Sequence, residues 1–133
     1  MKIHPDFSDL LNLFNEQDVK YIIVGGYALA YHGAPRYTGD IDLWIRISEK
    51  NAQKVVNALN EFGFESLNLK TDDFTHEDQV LQLGYPPVRV DIMTTIDGVN
   101  FDDAYQNAER TIMGNLEIIM ISDLTYFKKC FFS

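Results

Sequence analysis

Asp40-Ile41-Asp42 sets two carboxylates two residues apart, and Asp91 lies inside the apolar run Val88-Arg89-Val90-Asp91-Ile92. In a strand, residues i and i+2 project to one side, so Asp40 and Asp42 aim their oxygens at one place. Hard oxygen donors of this kind suit Mg2+ or Mn2+. Two such ions about 4 Å apart can activate an attacking oxygen and stabilise a leaving one, which is the chemistry of phosphoryl-type transfer. An Asp-x-Asp pair alone is an ordinary surface pattern. Three carboxylates gathered against an apolar interior are different, because they raise one another's pKa and oppose folding unless a cation compensates them.

The elements that must position these acids are legible in the hydrophobic pattern. Phe7, Leu10, Leu11 and Phe14 recur at helical spacing after Pro5, predicting an amphipathic helix over about 5–16 whose stripe covers a sheet. Tyr21-Ile22-Ile23-Val24 reads as a buried strand, and Gly25-Gly26 turns it into a helix ending near Ala30 or Tyr31. Glycines let backbone N–H groups approach a phosphate closely, so this turn is a candidate phosphate cradle. The stretch 32–39 carries loop signals and delivers the chain to the Asp40 strand. Ser48 is placed to cap a helix with the apolar stripe Val55, Val56, Leu59 and Phe62, ending at Gly63. Further along, strands are predicted over 64–69 and 79–83, the latter turning through Gly84-Tyr85-Pro86-Pro87 into Val88–Met93. A short helix follows over 101–108, then one strand over 112–121 kinked at Gly114-Asn115, and Ser122 caps a last helix.

One domain is expected from 133 residues, and 46% hydrophobic residues are enough to build its core without a disulfide or structural metal. The net charge of −9 disfavours a broad nucleic-acid-binding surface, since such binding rests on Lys and Arg neutralising phosphates. The single cysteine, Cys130, and the absence of a leader or an apolar run of about 18 residues point to a cytoplasmic chain that does not enter a membrane. His32 reads as a helix-terminal cap or packed side chain, His76-Glu77-Asp78 as a solvated loop, and Trp44, Tyr21, Tyr27 and Tyr31 as core.

Val24-Gly25-Gly26 followed by a helical spacer and Asp40-Ile41-Asp42 resembles the signature of the nucleotidyltransferase superfamily. Gly25-Gly26-Tyr27-Ala28 with His32-Gly33, Arg36, Thr38 and Asp40 to Trp44 looks like small bacterial nucleotidyltransferases related to AbiEii-type toxins. Pro86-Pro87 through Thr94, Ile96-Asp97-Gly98-Val99 and Phe101 extend the likeness, which covers residues 7–128. It implies an α/β (α+β) fold, a mixed sheet with helices packed on one face. It also implies Asp40, Asp42 and Asp91 as catalytic metal ligands for Mg2+ or Mn2+, with Gly25, Gly26, Thr38, Arg36 and Lys128 binding the nucleotide. Gly26 stands where many relatives carry a phosphate-holding serine, and relatives continue past the segment matching Lys128, so the domain over 1–133 is expected to be C-terminally short.

The expected function is transfer of an NMP group from an NTP to an RNA, protein or small-molecule acceptor, releasing pyrophosphate. The alternative is a catalytically weak or silent module of the same fold, acting as a toxin-antitoxin or regulatory partner. Phe131 and Phe132 add a further expectation, a homodimer through the C-terminal aromatic segment.

Overall fold

The computed structural model describes residues 3–33, 39–85 and 88–122. Helix α1 (Pro5–Glu16) starts where Pro5 fixes the first turn and the His4 ring Nδ1 accepts a hydrogen bond from the Asp6 N–H at 3.1 Å. Its stripe Phe7, Leu10, Leu11 and Phe14 is fully buried, and each such side chain contributes about 1.5–3 kcal/mol relative to exposure. Strand β1 (Tyr21–Val24) is buried along its whole length and runs directly into α2 (Gly25–Tyr31). Strand β2 (Asp40–Ile45) carries both acids of the Asp-x-Asp pair. Helix α3 (Glu49–Leu59) is capped by the Ser48 hydroxyl, which accepts from the Asn51 N–H at 3.0 Å.

Strands β3 (Val80–Tyr85) and β4 (Val88–Met93) form a hairpin, followed by α4 (Phe101–Gln106), β5 (Glu109–Met113) and β6 (Leu116–Met120). The six strands make one mixed sheet in the order β3-β4-β2-β1-β6-β5. Pairs β2/β4 and β1/β6 are parallel and the other three antiparallel. Helix α1 packs on the Tyr21 side of this sheet through the Phe14–Tyr21 ring contact, and α3 lies against α1 there. The acids alternate with Ile41 and Leu43, which are fully buried, so Asp40 and Asp42 face the other way.

Two expectations fail. The segment 64–69 is not a strand: it leaves α3 through a wide helical turn, Asn60–Phe64, and a 3-10 turn, Glu65–Leu67. The sheet edge is taken instead by β3, and Phe62 and Phe64 fold back on the core, their rings 5.5 Å apart. The predicted single strand over 112–121 is two. Gly114, with φ 63, reverses the chain so that Met113 pairs with Leu116; glycine adopts this left-handed backbone without the Cβ penalty. Arg36, Thr38, Pro86, Pro87, Lys128, Cys130, the predicted last helix and the C-terminal aromatic segment lie outside the described residues. Among the described residues, no helix is long and apolar enough to cross a membrane.

Candidate active site

Parallel pairing of β2 with β4 sets Asp40 beside Arg89 and Asp42 beside Asp91. The period of two then places all four side chains on one face, at the centre of the sheet. β1 borders them on one side, with Val24 opposite Asp42, and β3 on the other, with Gln82 opposite Asp91. The sequence-predicted carboxylates are therefore brought together. They form a strip rather than a closed cage, since among the described residues no three His, Cys, Asp or Glu side chains are grouped tightly enough to hold an ion.

Arg89 spans the strip. Its Nε donates to Asp91 Oδ1 at 3.2 Å and its Nη2 to Asp91 Oδ2 at 3.1 Å, while Nη2 also lies 2.9 Å from Asp40 Oδ2. These bonds push the guanidinium pKa further above its ordinary value. Asp42 stands apart from this clasp. Burial, then the charge of Asp91, a hydrogen bond with Asp91 and the charge of Asp40 push the Asp42 carboxyl up from 3.8 to about 6, opposed by a hydrogen bond from the Gly26 N–H. Asp42 thus keeps its proton over a range where isolated carboxyls are ionised.

The glycine turn is built around the same acid. Gly25 has φ 70, and a Cβ there would run into the Asp42 carboxylate. Of the two candidate cradle glycines, Gly25 supplies clearance and Gly26 an N–H, and both are directed at Asp42. The other flagged side chains are structural. The His32 Nε2 donates to the Ile121 carbonyl at 2.7 Å, His76 pairs with Asp72 at 2.8 Å, and Trp44 donates to the Thr94 carbonyl at 3.2 Å while meeting Phe101 edge-on.

By chemical type, though not by its spacing here, the donor set suits a hard divalent cation. Three carboxylates face one side of the sheet, one arginine compensates only two of them, and a Cβ-free notch at Gly25 holds the third. Sequence reasoning missed Arg89. The signal was available, because in an alternating strand a residue two before Asp91 shares its face.

A mixed sheet carrying Asp-x-Asp on one strand and a third acid in register on its parallel neighbour defines a nucleotidyltransferase-like fold. A solved Thermotoga maritima structure assigned as a nucleotidyltransferase superposes with a TM-score of 0.66 and 15% identity, over 98% of this chain and 86% of that one. Residues 6–114 match the sequence family described as aminoglycoside-2''-adenylyltransferase, and the chain belongs to that family. No curated protein matches it.

Proposed function

We propose that the chain is a Mg2+- or Mn2+-dependent nucleotidyltransferase that moves an NMP group from an NTP to a hydroxyl of a cationic small molecule. Its family description names an aminoglycoside, and the net charge of −9 favours a cationic acceptor over a polyanionic one. The observation that carries this reading is the register that sets Asp42 beside Asp91, with Asp40 on the same strip.

Asp40, Asp42 and Asp91 would hold the metal, which when bound neutralises charge on the phosphates during in-line displacement. Asp91 orients the acceptor hydroxyl and accepts its proton. The acceptor oxygen then forms a bond to the α-phosphorus as the bond to the β-phosphate bridge breaks, and pyrophosphate leaves. The Gly25-Gly26 turn fixes the Asp42 carboxylate, Gly26 through its N–H and Gly25 by having no Cβ where that carboxylate lies. Arg36, Thr38 and Lys128 complete the proposed nucleotide contacts.

Titration calorimetry with Mn2+ and each NTP tests the reading. Asp42→Ala should weaken binding at least tenfold, or about 1.4 kcal/mol; unchanged binding would count against it. A second reading, a weak or silent module of the AbiEii-related kind serving a protein partner, is favoured by the Arg89 clasp, which compensates Asp40 and Asp91 without any metal. Stable capture of such a partner with no labelling of any acceptor would support it. Labelling that is lost in Asp40→Ala would eliminate it.

A further inference from the structure

We infer that Arg89 is the site's internal counter-cation, holding the oxygens of Asp40 and Asp91 until a divalent ion displaces it, and that it thereby sets the metal affinity of the site. The inference rests on the metal-dependent reading of the same carboxylates. Both oxygens of Asp91 and one of Asp40 accept from or lie against one guanidinium, at 2.9–3.2 Å. Those are the oxygens a hard cation would take, and a guanidinium and a divalent ion cannot occupy them together without direct like-charge repulsion.

The strand architecture makes the clasp specific. Arg89 is two residues from Asp91 on β4 and directly beside Asp40 on β2, so one planar fork reaches both acids. Arg89 and Asp40 side chains are about a third exposed, at 32% and 33%, whereas Asp91 is 12% exposed. The guanidinium therefore covers Asp91 from the solvent side and has an open path outward.

Two states follow, clasped and open, and only the open state binds metal. The apparent dissociation constant then equals the intrinsic one divided by the open fraction. Loosening the clasp tightens metal binding, even though it removes a stabilising ion pair from the metal-free protein.

Mn2+ binding measured without nucleotide, by calorimetry and by the electron paramagnetic resonance signal of free Mn2+, tests this on the full chain. Arg89→Gln should bind Mn2+ at least tenfold more tightly than the wild type. Arg89→Lys, whose point charge cannot grip Asp91 bidentately while reaching Asp40, should fall between them. In parallel, Arg89→Gln should melt below the wild type in EDTA and gain more from saturating Mn2+. If Arg89→Gln is unfolded without metal, folding on addition of Mn2+ supports the clasp. If it stays unfolded, the Arg89→Lys affinity decides, and a value equal to or weaker than wild type overturns the clasp. Equal affinities in folded wild type and Arg89→Gln overturn the clasp and leave the metal site standing. Absence of Mn2+ binding in both, with or without NTP, overturns the metal reading and the clasp together.

Discussion

Asp42→Asn is expected to stabilise the metal-free protein at neutral pH. The side chain keeps its shape: the amide oxygen still accepts the Gly26 N–H, and the NH2 group donates to Asp91 in place of the protonated Asp42 carboxyl. What disappears is a half-buried charge beside two like charges. The Asp42 carboxyl rises from 3.8 to about 6 in the folded chain. At 1.36 kcal/mol per unit this is about 3 kcal/mol, and solvent screening at a site open on one side reduces it to about 1–2 kcal/mol. The folded chain holds the Asp42 proton more tightly than the unfolded chain does. Its contribution is fully present below pH 3.8, is lost as the pH climbs to about 6, and is absent above that. The difference between Asp42→Asn and wild type should therefore be near zero at pH 3.8, open through pH 6 and stay level beyond it. Urea denaturation in EDTA across this range measures it, and thermal melts in EDTA at pH 7.5 should show a rise of about 5 °C. Saturating Mg2+ should reverse the order by stabilising only the wild type. A variant less stable than wild type at pH 7.5 in EDTA, or a difference flat with pH, would refute the electrostatic reasoning.

Other perturbations probe the frame around the strip. Gly25→Ala should cost about 2–4 kcal/mol in urea denaturation, because φ 70 disfavours a Cβ and the added methyl meets the Asp42 carboxylate; Asp42→Gly in the same chain should recover part of that loss. Asn51→Ala should cost about 2–3 kcal/mol in thermal melts, since its buried amide serves the Lys20 N–H at 2.8 Å and the Lys20 and Arg46 carbonyls at 3.1 and 2.9 Å. Trp44→Phe should cost about 1 kcal/mol in the same melts, leaving the Thr94 carbonyl without its 3.2 Å donor.

The site was legible in the sequence wherever it depends on a period. Asp40 and Asp42 share a face because strands alternate, and the same rule, applied to Val88-Arg89-Val90-Asp91, puts Arg89 beside Asp91. Register between strands is not written locally. That Asp42 sits beside Asp91, and Asp40 beside Arg89, follows only once β4 pairs parallel to β2. The two misread segments have related causes. The apolar residues Phe64, Leu67 and Leu69 suited a strand, but Phe64 and Leu69 pack on the core from turns that leave Leu67 exposed, the sheet edge being already completed by β3. Gly114-Asn115 was recognised as an interruption, but whether it kinks one strand or reverses two depends on the backbone sign that Gly114 adopts. Asn51 carries no periodic signal, since its role is set by the backbone of Lys20, just before β1 and distant in sequence, and of Arg46, just after β2.

The most direct measurement is transfer of label from α-32P-ATP, and from each other NTP, to a panel of aminoglycosides in the presence of Mg2+ or Mn2+. The expected result is a labelled product and an equivalent amount of pyrophosphate, both abolished by EDTA and lost in folded Asp42→Asn. Labelling that persists in Asp42→Asn or in EDTA, or wild-type protein that binds NTP and Mn2+ yet labels no acceptor of any class, would contradict metal-dependent nucleotidyl transfer at Asp40, Asp42 and Asp91.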